Sequence, residues 1–225
     1  MLFRSPTISV RMSEKGSDNF SLKTRVSLDR RPREKLSDPF SAAHLPGDPD
    51  VWIFIIAELL MFGAFFVTYV VYRAGEIDLF NASQLTLDRG LGFLNTVLLV
   101  TSSWAVAQAV TSARRNERRT VPRCLAMAIA LAAAFVVVKV FEYSAKFDAG
   151  ITLSTNTFYM FYFSLTMIHL LHVIGGMIIL TVLWSSARRG AYNPGNTKGL
   201  ETGASYWHMV DLLWIFLFSL LYLLR

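Results

Sequence analysis

From about residue 51 onward, long apolar runs alternate with short polar connections. The runs cover roughly 51–73, 91–112, 123–145, 157–186 and 204–224, each near or above the roughly 20 residues that cross a ~30 Å hydrocarbon core. The pattern predicts an all-α fold: an integral membrane bundle of five transmembrane helices over residues 49–225. Because the connections are short, consecutive helices are expected to be antiparallel neighbours, and no separate soluble domain remains to host chemistry. Residues 1–48 differ in kind. They mix Ser, Arg, Lys, Asp and Pro without helical or strand periodicity and end in the turn-rich run His44-Leu45-Pro46-Gly47-Asp48, which reads as a basic, disordered cytoplasmic arm leading into the first helix.

Composition sharpens this picture. At 53% hydrophobic and 17% charged residues the chain is too apolar for a soluble globular domain of its size, so lipid must replace water around much of it. A formal charge of +6 could suggest nucleic acid, but the basic residues sit in segments flanking the apolar runs rather than along an aromatic-bearing groove, so no nucleic acid partner is expected. Nine Lys and Arg in the first 45 residues, with no continuous apolar region, exclude a signal peptide there and leave membrane targeting to the first span. Orientation follows from alternate connections. The arm carries nine Lys and Arg, segment 113–123 five and segment 187–203 three, against Arg73, Arg89, Lys146 and Arg225 on the opposite side. The positive-inside bias therefore puts the N-terminus in the cytoplasm and the C-terminus outside. The lone Cys124 matches no metal-ligand spacing and reads as a packing residue.

A charge at the membrane centre costs about 2.5 to 3.5 kcal/mol on insertion scales, so each ionisable group inside a span asks for an explanation. Glu58 is outweighed by thirteen Val, Ile, Leu and Phe residues between Val51 and Val71. It should face other helices, protonated or hydrogen-bonded, with His172 or His208 as partner. Lys139 and Glu142 stand three residues apart near the outer end of the third span. Lys139 is expected to snorkel to the interface while Glu142 pairs with it or with Asn95. His169 and His172, and likewise His208 and Asp211, have i, i+3 spacing on one helix face. Counting rise along the helices places Glu58, His172, His208 and Asp211 in the cytoplasmic half, where a cluster is geometrically allowed. A metal centre needs a defined ligand set, however, and only three histidines lie in the spans, with no Glu-x-x-His pair on facing helices. The run Thr101-Ser102-Ser103-Trp104-Ala105 supplies small residues for close helix approach and hydroxyls for interhelical bonds. Tyr69, Tyr72, Trp184, Tyr206, Trp207, Trp214 and Tyr222 are expected as interfacial anchors towards the span ends.

Taken together, five ordered signals carry a resemblance: Trp52 followed by Glu58 with Phe62, Phe65 and Phe66; Leu94-Asn95-Thr96; Glu142-Tyr143; His169-Leu170-Leu171-His172-Val173; and Tyr206-Trp207-His208-Met209-Val210-Asp211-Leu212-Leu213-Trp214. From Pro49 to Arg225 the chain resembles subunit III of the haem-copper oxidases. That resemblance implies a non-catalytic subunit of a bacterial respiratory complex in the cytoplasmic (inner) membrane. Such a subunit binds no haem, copper or other metal, packs beside the catalytic subunit among membrane lipids, and supports its stability and proton uptake. Haem, with copper or non-haem iron, is then expected in the partner. It also implies that Glu58, Asn95, Glu142, His169, His172, His208 and Asp211 are buried polar family positions, and that Trp52, Trp104, Tyr206, Trp207 and Trp214 are family aromatic positions. Longer relatives have seven spans, the first two leaning away to leave a lipid-filled cleft, a division that five spans would lack. The histidine pair that follows Trp-Ala in many oxidase members is replaced by Val106-Ala107-Gln108. This is similar to shorter bacterial relatives, including subunit III-like proteins associated with nitric oxide reductase, which is the alternative assembly. A stand-alone proton or small-solute transporter ranks lower because no inverted repeat or pair of broken helices is evident.

Overall fold

The computed structural model describes residues 49–224. The basic arm expected over 1–48, with its disorder and cytoplasmic placement, lies outside the described residues. Among them every regular element is a helix, and there is no strand. The elements are α1 (Pro49–Gly75), α2 (Ile77–Gln84), α3 (Arg89–Arg114), α4 (Thr120–Asp148), α5 (Thr157–Arg188) and α6 (Lys198–Phe218), the last running on through a wide π-type turn over Ser219–Leu223. Five of these helices are long and apolar enough to cross a membrane, as the pattern predicts. They extend beyond the apolar runs: the 29 residues of α4 span about 44 Å at ~1.5 Å each, so charged turns project past the hydrocarbon at its ends.

Helix starts follow local chemistry. The Asp88 carboxylate accepts from the N–H of Gly90 (2.7 Å) and Leu91 (3.1 Å) at the start of α3, and Asn156 Oδ1 accepts from the N–H of Tyr159 at 2.9 Å to open α5, each satisfying donors that a helix leaves free. Alternate ends come together as antiparallel neighbours require. At one end Arg73 reaches the carbonyl of Leu224 at 3.1 Å and Lys146 that of Thr86 at 2.5 Å, and at the other Arg114 pairs with Glu201 at 2.9 Å.

The helix α2 was not visible in the apolar pattern, because eight residues with a single large buried anchor make no periodic stripe. Phe80 wedges edge-on against Tyr69 and Phe158, with ring centroids 5.4 and 5.7 Å away. Gln84 donates to the Tyr69 hydroxyl at 3.2 Å and to the Leu220 carbonyl at 3.1 Å.

The most extensive helix pairing joins α3 to α4. Ala105, Ala109 and Ala113 face Leu125, Ala128 and Ala132, all buried, and Ser102 donates to the Ala128 carbonyl at 2.9 Å. Small side chains let the backbones approach closely enough for that hydroxyl to reach across. The partly buried Cys124 packs against the same core.

At the centre stands α6. Trp207, Trp214 and Tyr222 are buried, as is Tyr69 of α1, so these four are core residues rather than the interfacial anchors expected. For Trp207 the reason is the helix start: α6 begins at Lys198 rather than near residue 204, which carries the indole deep into the bundle. Tyr72 is exposed, and Trp184 stacks under the Arg188 guanidinium at 4.9 Å. Gly176 makes room for Trp207, since a Cβ there would lie 2.7 Å from the indole ring carbons. The loosest helix is α1: 11% of its most apolar window is buried, against 56% for α6.

Candidate functional site

Three polar groupings occupy the bundle. The first unites α4, α5 and α6. Lys139 and Glu142, one helical turn apart on α4, are 1% and 3% exposed and form an ion pair at 2.9 Å. The other Glu142 oxygen accepts from Tyr162 at 2.9 Å and Tyr222 at 2.5 Å, while Lys139 also donates to the Tyr222 hydroxyl at 3.2 Å. Four rings, those of Tyr143, Tyr162, Trp214 and Tyr222, lie with centroids 5.1 to 5.8 Å from the ammonium. Lys139 therefore does not snorkel. Its partners surround it, and π-faces replace the lost water. Asn95 is not the partner of Glu142; it is buried, and its amide atoms have no protein partner among the described residues.

The second grouping is a pair across α1 and α5. Glu58 Oε2 lies 3.1 Å from His172 Nε2, and His172 Nδ1 lies 2.8 Å from the Ile168 carbonyl. A carbonyl only accepts, so Nδ1 carries a hydrogen. The Nε2···Oε2 contact ties α5 to α1 through the remaining ring nitrogen. Each side chain is 16% exposed, so Glu58 and His172 are half-buried rather than buried, because the loosely packed α1 covers them incompletely. His169, one turn earlier on α5, is fully buried with no protein partner on either ring nitrogen among the described residues. It packs against Phe135 and Trp214, at 5.9 and 5.3 Å.

The third joins α3 to α6. Ser103 Oγ lies 2.5 Å from His208 Nδ1 and also interacts with the Asp211 carboxyl, whose Oδ1 has no partner. Ser, His and Asp meet here, but the order is wrong for nucleophilic catalysis: the hydroxyl bridges the acid and the imidazole, whereas an activated serine needs the imidazole between them. Asp211 is buried, but His208 is exposed. The expectation of a buried His208 is therefore corrected. One turn separates the two residues along α6, and the 60° offset of an i, i+3 pair leaves the histidine on the bundle surface, beside the grooves that α6 forms with α1 and with α3.

The cytoplasmic-half cluster of Glu58, His172, His208 and Asp211 is thus divided between two sites. Among the described residues no three His, Cys, Asp or Glu side chains converge as metal ligands. Both His172 nitrogens are engaged, His208 is bonded to Ser103 through Nδ1, and His169 is enclosed by aromatic rings. Of the aromatic positions, Trp207 and Trp214 are buried, Trp52 and Tyr206 partly so, and Trp104 is 58% exposed. Sequence reasoning did not single out Tyr162, Tyr222 or Ser103 as partners, and no spacing could have linked them to Glu142 or His208 across separate helices.

The family described as cytochrome c oxidase subunit III matches residues 48–224. Among curated relatives, cytochrome c oxidase subunit 3 of Thermostichus vulcanus is 34% identical over 173 residues, 76% of this chain and 84% of that protein. The protein of the same name from Synechocystis sp. is 31% identical over 202 residues, covering 84% and 85%. Quinol oxidase subunit 3 of Bacillus subtilis is 29% identical over 179 residues, covering 77% and 84%.

Proposed function

Because the chain belongs to the cytochrome c oxidase subunit III family, and is accordingly a non-catalytic, multi-pass inner-membrane subunit of a bacterial haem-copper oxidase, we propose that it docks on the catalytic subunit through the face on which α1, α3 and α6 meet. His208 carries this reading. It lies ten residues, about 15 Å, into α6 and is exposed there. An ionisable ring at that depth is costly against lipid and is accommodated by a protein surface. The redox centres, haem and copper, belong in the partner, as membership of a non-catalytic subunit family implies. The relatives described above are cytochrome c and quinol oxidase subunits, which favours oxygen over nitric oxide as the acceptor of the complex. The N-terminus faces the cytoplasm and the C-terminus the outside, by the asymmetry of Lys and Arg.

Ser205 lines the groove on both sides of His208, so Ser205→Trp fills the docking face without touching the core. Mild-detergent purification of the tagged wild-type chain should bring down a haem-bearing catalytic chain in stoichiometric amount, read from the optical spectrum, and Ser205→Trp should reduce that recovery. Undiminished recovery would remove this face from the interface. A wild-type chain that purified alone and colourless would count against stable association.

The Glu58–His172 pair supports a role in proton supply, because it can hold a proton in two neutral arrangements. In Glu58→Gln the amide still donates to Nε2, so the contact survives while the exchangeable carboxyl proton does not. Slower proton uptake by the oxidase, with unchanged subunit recovery, is the expected result. Normal uptake would reduce Glu58 to a packing contact.

A further inference from the structure

Where the first turn of α4 meets the last turn of α5, Arg118, Arg119, Arg123 and Arg188 rim a cavity of about 490 Å³ whose inner wall is formed by Trp184 and Ala126. Among the described residues none of the four pairs with a carboxylate. The nearby ion pair uses Arg114 and Glu201 instead, and Arg118 has only a 3.3 Å contact to the Asn116 amide oxygen. Glu117 lies in the same connection but does not line the cavity. Arg188 is stacked over Trp184, which holds one cation at the rim. The first turn of α4 points its N-terminal dipole end toward the same rim, which adds to the positive field.

The groove between the same two helices holds a second cavity further into the membrane. It measures about 390 Å³ and is lined by Val136 of α4 and by Ile174, Ile178, Thr181 and Val182 of α5. Its one hydroxyl, that of Thr181, is spent on the Met177 carbonyl at 2.7 Å, so the wall is apolar. From Arg123 to Val136 is thirteen residues along α4, about 20 Å, which is the depth of one leaflet. A cationic rim above an apolar trough matches a ligand with an anionic head and a long hydrocarbon tail. A free phosphate would use the rim alone, and a neutral chain the trough alone.

We infer that the α4–α5 groove is a binding site for an anionic phospholipid, its phosphate held by Arg119, Arg123 and Arg188 and an acyl chain lying along Val136, Ile174 and Ile178. The site is on the opposite side of α5 from the Glu58 pair and is independent of the docking face proposed above.

The test uses the purified oxidase complex containing the full chain, with delipidated samples titrated with phosphatidylglycerol, phosphatidylcholine or inorganic phosphate. Bound lipid is counted by native mass spectrometry, alongside the thermal midpoint. The wild type should bind phosphatidylglycerol preferentially. Arg123→Gln with Arg188→Gln should bind it about thirtyfold more weakly, the effect of two lost surface charges, while the corresponding double Lys variant should retain binding. Ile178→Trp, which fills the trough and leaves every arginine in place, should also weaken binding. Equal affinity of wild type and the double Gln variant, or of wild type and Ile178→Trp, would overturn the assignment. So would inorganic phosphate stabilising the complex as much as the lipid, which would mark the rim as a free-anion site.

Discussion

Removing the charge of Lys139 or Glu142 singly should destabilise the bundle far more than removing both. The two groups are 1% and 3% exposed and 2.9 Å apart, so neither can recruit water when its partner is lost. Breaking a buried ion pair by deleting one member costs about 3 to 5 kcal/mol, whereas replacing both with groups of similar volume is often neutral or stabilising. In Lys139→Met the carboxylate keeps the Tyr162 and Tyr222 hydroxyls but faces aromatic rings with no counter-charge. In Glu142→Gln the ammonium keeps the Tyr222 hydroxyl and four π-faces. Those faces offset part of the loss, at about 0.5 to 2 kcal/mol for a cation–π contact, so Glu142→Gln should be the milder single change. The double variant Lys139→Met/Glu142→Gln leaves an amide whose oxygen still accepts from a tyrosine, and should lie within about 2 kcal/mol of wild type. Denaturant titration of the complex in mild detergent, followed by intrinsic Trp fluorescence, gives all four corners of the cycle. The expected coupling is at least about 3 kcal/mol, more than a hundredfold in the unfolding equilibrium. Additive single effects would refute the claim that burial makes each charge depend on the other.

Other outcomes follow from the same geometry. Gly176→Ala sets a methyl 2.7 Å from the Trp207 ring and should cost about 1 to 3 kcal/mol by forcing α5 and α6 apart; an unchanged thermal midpoint would show that the indole yields freely. Asp211→Ala removes a carboxyl from Ser103 and should cost about 1 to 3 kcal/mol of bundle stability while leaving the haem spectrum of the complex unaltered. A change confined to the spectrum would contradict a structural role. Single cysteines at Asn116 and Ser154, in the α3–α4 and α4–α5 connections, should be labelled by a membrane-impermeant maleimide from opposite sides: Asn116→Cys only in inverted vesicles and Ser154→Cys only in intact cells. The reverse pattern would invert the assigned orientation.

Architecture was legible from the sequence because the solvent enforces it. Within hydrocarbon a backbone must satisfy its own hydrogen bonds, so an apolar run of about twenty residues has few alternatives to a helix. Their number, order and antiparallel succession follow from run length and short connections. The ionisable residues inside the spans could also be singled out, since each is costly in lipid and therefore conspicuous, and the ordered motifs around them carried the family. What the sequence alone left open is the set of contacts between helices, because depth along a helix can be counted from its ends while azimuth relative to another helix cannot. Hence His172 and His208 were equal candidates for Glu58 until α1 and α5 were seen to bring Nε2 within 3.1 Å of the carboxyl. Lys139, whose side chain is long enough to reach an interface, is held inside by tyrosines contributed from α5 and α6. Tertiary packing alone decided which polar group is caged, which is paired across two helices and which is turned outward from the bundle.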